Sequence, residues 1–211
     1  MTLEGSTGYT GDVDGVLPTD ERTRRILDAA VHLAESGGFA AVRLRDVAQT
    51  SGVALGTVYK RFRSKEALLV GVLSAEIHEL RARLAAAPIT GPTPLVRVVV
   101  FFAFLTDFLC DRPNLGRAVV RSAASGEPGM SERLAEFYRV LFELSYTAMT
   151  ESPGRAPRDH EALLLSALQQ VWFAALCGWA GGLYPKAGVN ERVSAAARLM
   201  TYGIDGLPAE G

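Results

Sequence analysis

LRDVAQTSGVALGTVYKRFRSKEALL, residues 44–69, is the stretch from which the fold is predicted. Apolar residues recur in residues 44–50 at the three- and four-residue spacing of one helix face. Gly52 follows, where a helix-to-helix turn needs a residue that tolerates a positive φ angle. Residues 55–62 then carry Val58 and Phe62 four positions apart, as the inner stripe of a second helix. The pattern predicts a helix-turn-helix, a motif whose second helix enters the major groove of DNA.

The charge of this region favours the same interpretation. The side chains left for the outside of the second helix are Thr57, Tyr59, Lys60 and Arg61. Residues 39–65 hold six Lys or Arg residues and one acid, a net charge of +5, in a chain whose net charge is −1. A local excess of this size indicates a surface for phosphates. The alternative interpretation is a solvated pair of surface helices with a chance basic excess.

Length and composition limit the class of protein. At 211 residues and 48% hydrophobic, the chain can bury one sizeable core, or the cores of a small and a larger domain. Its strongest apolar run, residues 98–105, is too short to span a membrane, and the sequence shows no signal peptide. Cys110 and Cys177 lie in apolar stretches, which indicates reduced, buried thiols. We therefore expect a cytoplasmic protein without a membrane partner.

Residues 1–18 contain four glycines, three acids and no Lys or Arg, so we expect a disordered arm. Breaks at Gly and Pro predict an all-α chain of about nine helices and no strand. The first helix is predicted at residues 19–37, with Gly37-Gly38 as its end. After the helix-turn-helix and a long fourth helix that ends before Pro88, the predicted helices are 95–110, 114–124, 130–150, 159–183 and 190–206.

The motifs ILDAA, GGF, RDVA, GV, GTVY, F and SKEALL, which fall roughly within residues 20–70, resemble the DNA-binding domain of TetR-family transcriptional regulators. Two positions depart from the family pattern. Arg43 stands where the family has Ser or Thr, and Ala54-Leu55 stand where it has Ser followed by a polar residue. Each change removes an N-cap hydroxyl, which is worth about 1 kcal/mol.

The resemblance implies a division into domains. The expected parts are a disordered arm (1–18), a helix-turn-helix DNA-binding domain (19–66), a connecting helix (67–87) and a helical ligand-binding and dimerisation domain (88–207). It also implies that Arg22, Arg24 and Arg25 lie at the end of the first helix that approaches the DNA backbone. The expected operator contacts are Arg45, Thr57, Tyr59 and Lys60, with Arg43 and Lys65 holding phosphates.

Aromatic residues concentrate in the second half of the chain, where they form a helical core in the simplest interpretation. Because TetR-family members enclose a ligand cavity among these helices, the resemblance implies a cavity here too. Its candidate lining is Phe104, Phe108, Tyr138, Phe142 and Trp172. The shortage of charge within residues 160–183 favours a small hydrophobic effector, and the sequence resembles relatives that sense lipid or sterol acyl thioesters. No cofactor and no metal is expected.

The last two predicted helices are candidates for a homodimer interface. One carries an apolar face of Leu164, Leu168, Val171, Trp172, Ala175, Leu176 and Trp179; the other carries Val193, Ala196, Ala197, Met200 and Ile204. Two such helices from each chain would form a four-helix bundle around a two-fold axis. The alternative is that both faces close the core of a monomer. Two-fold pairing is expected because one helix-turn-helix contacts few base pairs, so the operator should be palindromic double-stranded DNA.

The predicted function is therefore a ligand-responsive DNA-binding regulator, a repressor in the family's usual mode, released from its operator by the effector. An enzyme is not expected, because the sequence lacks HExxH, CxxC, GxSxG and Walker-type motifs and its three histidines are scattered. A protein-binding adaptor that has kept the helix-turn-helix is the remaining alternative.

Overall fold

A computed structural model of the chain describes residues 21–127, 129–150 and 155–206, with side chains up to Tyr202. This described part contains nine α-helices and no strand, which confirms the all-α prediction. The helices are α1 (Glu21–Ala41), α2 (Leu44–Ser51), α3 (Leu55–Arg61), α4 (Lys65–Ala86), α5 (Pro94–Cys110), α6 (Pro113–Ala123), α7 (Ser131–Met149), α8 (Asp159–Ala180) and α9 (Lys186–Gly206). We call α1–α3 the head and α5–α9 the body. The predicted arm, residues 1–18, lies outside the described residues.

The helix-turn-helix forms as predicted. Gly52 ends α2 in the left-handed conformation, with φ 64° and ψ 23°, and its N–H donates to the carbonyl groups of Ala48 and Gln49. Val53 then packs into the core, and α3 begins at Leu55. The helix ends at Arg61, one residue earlier than predicted, because the backbone of Phe62 is extended.

The first helix ends as predicted, and one further helical turn follows it. Its predicted start at Thr19 lies outside the described residues. Helical geometry stops at Gly37 and Gly38, as predicted, with Gly38 at φ 64° and ψ −158°. A further helical turn then runs on to Ala41, which carries the chain back toward α2.

Packing holds the short α3 against α4. Val58 and Phe62 are fully buried, which confirms the inner stripe predicted for this helix. Gly71 of α4 lies against the Phe62 ring so closely that a Cβ atom on Gly71 would sit 2.7 Å from Cε1 of Phe62. The approach of α4 to the end of α3 therefore depends on a residue without a side chain.

The body departs from the predicted boundaries where α8 turns into α9. The prediction placed the end of α8 at residue 183, but the helix ends at Ala180 and the chain turns at Gly182, whose φ is 80°. Tyr184 then folds back on α8, and a Cβ on Gly178 would lie 2.2 Å from its hydroxyl oxygen. The helix α9 consequently begins at Lys186, four residues before the predicted start.

Arg97 of α5 holds the end of α7. Its buried guanidinium donates hydrogen bonds to the carbonyl oxygens of Ala148, at 3.2 Å, and Met149, at 2.7 Å. It also donates to the Gly91 carbonyl at 2.9 Å. A cation at a helix C-terminus satisfies carbonyl groups that have no partner within the helix and interacts favourably with the helix dipole.

The apolar stripe predicted as the dimer interface is largely occupied within the protomer. Its buried members are Leu168, Trp172, Ala175, Leu176 and Trp179 on α8, with Val193 and Ala197 on α9. For these residues the prediction was wrong and the alternative, closure of the protomer core, holds. The side chain of Ile204 lies outside the described residues.

Among the described residues, α8 alone is long and apolar enough to cross a membrane, with a mean hydropathy of 1.4 over its most apolar window. The sequence prediction overlooked this uncharged stretch. The same composition is typical of a core helix, and Leu165, Leu168, Trp172 and Leu176 of α8 are indeed buried in the body.

Substitution of Gly52 by alanine, which adds a single methyl group, tests the role of the turn in the helix-turn-helix. Gly52→Ala should lower the free energy of unfolding by about 1 kcal/mol, because alanine is disfavoured at a positive φ angle. The melting temperature should fall by roughly 2–4 °C. Gly56→Ala is the control, since a Cβ there meets nothing within 4 Å and alanine favours the helix; it should leave the melting temperature unchanged or raised. Equal losses in both variants would contradict the role of the turn.

Removal of the Arg97 side chain should be far more damaging. Arg97→Ala leaves buried carbonyl groups without their donor, so we expect a loss of at least ~3 kcal/mol in chemical denaturation. Arg139→Ala, which removes an exposed pair with Glu136, should change stability little. A small effect of Arg97→Ala would mean that the α5–α7 junction is held by other contacts.

Candidate nucleic-acid interface

The side chains predicted to contact DNA lie on the outer face of the head. Tyr59 is 52% exposed and Lys60 is exposed beside it, while Thr57 is half-buried on the same helix. Arg45, on α2, and Arg43, immediately before α2, are also exposed. The structure thus places five of the six predicted residues on α3 and around α2, with their polar ends available to a ligand.

This surface is cationic and its charges are not neutralised. In the described part of the chain Arg43, Arg45, Lys60 and Arg63 form no ion pair, whereas several cations of the body do. Unpaired cations on one face produce a positive potential that attracts polyanions over a distance of about one Debye length, ~8 Å at physiological salt.

Lys65, the sixth predicted residue, is placed differently. Ser64 caps α4 by accepting a hydrogen bond from the Ala67 N–H at 3.0 Å. The Lys65 ammonium lies 3.8 Å from the centre of the Phe39 ring, and the Arg121 guanidinium lies 4.1 Å from that centre. Lys65 is therefore engaged in a cation–π contact at the junction of head and body, and its role as a phosphate ligand stays a prediction.

The two expected departures from ordinary helix capping are present. Arg43 before α2 and Ala54 before α3 provide no side-chain cap. Leu55, the first residue of α3, is partly exposed. Free N–H groups at both helix starts remain available to external acceptors such as phosphate oxygens.

The three arginines near the start of α1 have different surroundings. Arg24 is paired with Glu21 at 2.9 Å. Arg25 is exposed and its guanidinium lies beside the turn, 3.9 Å from where a Cβ on Gly52 would stand. Of the three, Arg25 is thus the one that the fold brings to the helix-turn-helix, a proximity that sequence spacing does not reveal.

The aromatic residues predicted to line a cavity have different surroundings. Trp172 is buried and donates a hydrogen bond from Nε1 to Thr106 Oγ1 at 3.0 Å. Tyr138 packs edge-on against Phe173, with ring centres 6.3 Å apart, and burial raises the pKa of its hydroxyl. Phe108 lies between the guanidinium groups of Arg83 and Arg112, each 5.3 Å from its ring centre.

Phe104 and Phe142 are half-buried against the core. The three clefts described in the structure are lined by residues other than these five aromatics. The assignment of the five to a ligand cavity stays a prediction. One of these clefts lies between α1, α6 and α8, and the sequence did not predict it.

The described residues include side-chain types that metal sites and nucleophilic catalysis commonly use. Within the described residues no group of three or more His, Cys, Asp or Glu side chains is placed to hold a metal. Burial raises the pKa of the Cys110 thiol to about 12, so this cysteine is unreactive at neutral pH. His32, His78 and His160 lie on three different helices.

Polar contacts tie the head to the body. Arg112, which precedes α6, is hydrogen-bonded to both carboxylate oxygens of Glu76 on α4 and lies 3.6 Å from Glu35 on α1. The hydrogen bond from Arg112 to Glu76 raises the pKa of the guanidinium. Arg133 of α7 lies 5.3 Å from the Phe62 ring centre, so the residue that ends α3 also touches the body.

The chain is similar to known transcriptional regulators over most of its length. Residues 26–72 match the family described as bacterial regulatory proteins, tetR family. The HTH-type transcriptional repressor KstR of Mycolicibacterium smegmatis is 29% identical over 180 residues, which are 85% of this chain and 87% of that protein.

Solved structures share the fold. A TetR transcriptional regulator from Rhodococcus sp. RHA1 is similar with a TM-score of 0.75 and 25% identity, over 85% of this chain and 94% of that one. Thermus thermophilus FadR, a TetR-family transcriptional repressor in complex with lauroyl-CoA, has a TM-score of 0.63 and 22% identity, over 89% of this chain and 96% of that one.

Three independent findings now agree: a helix-turn-helix with an exposed cationic second helix, an all-helical body joined to it by α4, and similarity to regulators of one family across both parts. Residues 26–72 match the tetR family of bacterial regulatory proteins, and the chain as a whole is similar to TetR-family transcriptional regulators.

Proposed function

We propose that the chain acts as a homodimeric repressor that leaves a palindromic operator when a small hydrophobic effector binds. The observation that carries the proposal is the cationic surface of Arg43, Arg45, Lys60 and Arg63, which form no ion pair among the described residues, on a head that packs against an apolar body. The proposal includes the division into a DNA-binding domain at residues 19–66, a connecting helix at 67–87 and a ligand-binding and dimerisation domain at 88–207.

In the proposed complex α3 lies in the major groove. Tyr59, Lys60 and Thr57 face the base edges, where lysine and hydroxyl groups recognise acceptors on the bases. Arg45 reaches the same groove from α2. Arg43 and Lys65 contact phosphates, which set the register of the protein on the duplex rather than its sequence preference.

Dimerisation through α8 and α9 supplies the second head. The proposed contact residues are the large apolar side chains that these two helices expose: Leu163 (71%), Leu199 (73%) and Tyr202 (77%). Exposed apolar residues of this size favour an interface. In the proposed dimer the two copies of α3 occupy successive major grooves, about 34 Å apart or somewhat wider.

For the effector we propose the acyl thioester class, with the body as its receptor and Phe104, Phe108, Tyr138, Phe142 and Trp172 as candidate contacts. Two observations support this class. The body is apolar, and the structurally similar Thermus thermophilus FadR holds lauroyl-CoA. Because Trp172 and Tyr138 pack tightly in the core, ligand entry would require the helices of the body to separate.

Coupling between effector and operator follows from differential binding. An effector that binds better to a dimer whose heads are wrongly spaced will lower the population that fits the operator. The contacts of Arg112 with Glu76 and Glu35 join α6, α4 and α1, and they are the proposed path by which a change in the body reaches the head. We place the protein in the cytoplasm, where the operator is.

Selection of bound duplexes from a random DNA pool tests the class of the protein, and a two-fold symmetric consensus is expected. On that consensus, Tyr59→Ala and Lys60→Ala should each weaken binding about 10-fold or more without lowering the melting temperature. Arg43→Ala, at a proposed phosphate contact, should reduce the slope of log affinity against log salt by about one unit.

Arg158→Ala is the matched control, because this exposed arginine precedes α8 in the body. It should bind the consensus like the wild type. If Tyr59→Ala and Lys60→Ala also bind like the wild type, α3 is not in the groove. An asymmetric consensus would contradict the dimer.

The dimer surface is tested by Leu199→Asp combined with Tyr202→Asp. Burying two carboxylates without partners is strongly unfavourable, so the variant should elute at the monomer mass in light-scattering chromatography and lose operator binding. Val96→Asp changes an exposed apolar residue of α5 and should remain dimeric. If the double variant stays dimeric, α9 is not part of the dimer interface.

A further inference from the structure

A cleft of the described structure lies where the head meets the body. It has a volume of about 470 Å³ and is bounded by α1, α6 and α8. This size suits a small organic ligand. The lining residues that carry the argument are Phe39 from α1, Arg117, Ala118 and Arg121 from α6, and Cys177 and Ala180 from α8.

The charges of this cleft have one sign. Arg117 and Arg121 are four residues apart on α6 and exposed, a spacing at which like charges repel. Neither forms an ion pair in the described part of the chain, and no Asp or Glu is among the residues that line the cleft. The two guanidinium groups therefore lack the counter-charge that Arg112, Arg139 and Arg155 have.

Aromatic rings hold both arginines in place. The Arg117 guanidinium lies 5.4 Å from the ring centre of Trp179, and that of Arg121 lies 4.1 Å from the ring centre of Phe39. A guanidinium stacked on a ring keeps its N–H groups free at its edge, where they can bind a carboxylate or a phosphate in bidentate fashion. The pair is thus arranged in advance for an anion.

The rest of the cleft wall is apolar. Ala118 and Val120 of α6 and Ala180 of α8 supply small hydrophobic surfaces, and the half-buried Cys177 adds a thiol whose pKa burial raises. An uncharged thiol behaves as a small hydrophobic group. A ligand with an anionic group at one end and an apolar chain at the other would satisfy both parts of the wall.

We propose that this cleft binds an anionic amphiphile, with its carboxylate or phosphate on Arg117 and Arg121 and its apolar part against α6 and α8. The inference deepens the proposed function, on which it rests, by assigning the charged end of the effector to a site outside the five aromatic residues named above.

Because the cleft lies between the head and the body, a ligand bound there would affect how the head is placed for DNA binding. Phe39 is shared between Arg121 of the body and Lys65 at the start of α4. An anion that draws the Arg121 guanidinium toward the cleft weakens its contact with Phe39. The orientation of α1 relative to α6 then changes, and with it the placement of the head.

Isothermal titration calorimetry on the full chain without DNA tests the site. The probes are lauric acid, lauroyl-CoA and the uncharged methyl laurate, below their critical micelle concentrations. We expect at least one anionic probe to bind and methyl laurate to bind at least 10-fold more weakly. Binding of lauric acid identifies a carboxylate as sufficient, while binding of lauroyl-CoA alone identifies the phosphate groups as necessary.

The double variant Arg117→Gln, Arg121→Gln should bind the anionic probe at least 10-fold more weakly than the wild type. Arg192→Gln is the matched control, because Arg192 is also exposed and stacked on a ring, that of Tyr184, at 3.7 Å, and does not line the cleft. It should bind like the wild type. Ala124→Trp, which fills the cleft from an exposed position, should weaken binding without removing charge.

The proposed site would be wrong if the double variant and Ala124→Trp both bound the anionic probe with wild-type affinity. It would also be wrong if neither anionic probe bound the wild-type chain. The proposed function fails separately, through loss of the symmetric DNA consensus, since the calorimetry contains no DNA. If the double variant still binds the operator and still responds to lauroyl-CoA, that result would support the proposed function and contradict this inference.

Discussion

The packing of Phe62 is the constraint on which the DNA-binding surface depends. A seven-residue helix such as α3 has too few internal hydrogen bonds to persist in water, so its position is set by what its inner face touches. Phe62, at its end, is buried against Gly71 of α4, where a Cβ would approach the ring to 2.7 Å. The same ring faces Arg133 of α7 at 5.3 Å. The placement of Tyr59 and Lys60 therefore follows from the positions of α4 and α7.

A second aromatic residue repeats this arrangement at the other side of the head. Phe39 follows the break in α1 at Gly38 and is covered by Lys65 from α4 and Arg121 from α6. Each aromatic contact thus joins the head to α4 and to one further helix of the body. Cation–π contacts are worth about 0.5–2 kcal/mol, weak enough for a ligand of modest affinity to rearrange.

The sequence predicted local features better than those that depend on distant contacts. The helix-turn-helix was predicted because its period, its turn glycine and its buried Phe62 are all close together in the chain. The predicted end of α8 was wrong because Tyr184 folds back on Gly178. The spacing of apolar residues along the chain does not predict this contact. The apolar stripe of α8 was predicted to contact a partner chain. The helical spacing of apolar residues identifies an apolar face but not what covers it. In the structure, Trp172 packs in the protomer's own core.

The cleft between α1, α6 and α8 was not predicted for a similar reason. Arg117 and Arg121 have no distinctive spacing in the sequence, and only the fold brings Phe39 beside them. The predicted DNA contacts Arg45 and Lys60 are exposed as expected, since charge and helix face are local properties. Their contacts with bases and phosphates remain predictions until a complex is measured.

The central claim is that the body controls the separation of two DNA-reading heads. Pulsed electron paramagnetic resonance measures that separation, with a spin label on Cys introduced at the exposed Thr50 in a Cys177→Ser background; buried Cys110 should not be labelled. With operator DNA the account predicts one narrow distance, consistent with copies of α3 about 34 Å apart, and with saturating lauroyl-CoA a shifted or broadened distribution. An unchanged distribution in the two states, or no dipolar coupling between labels, would contradict it.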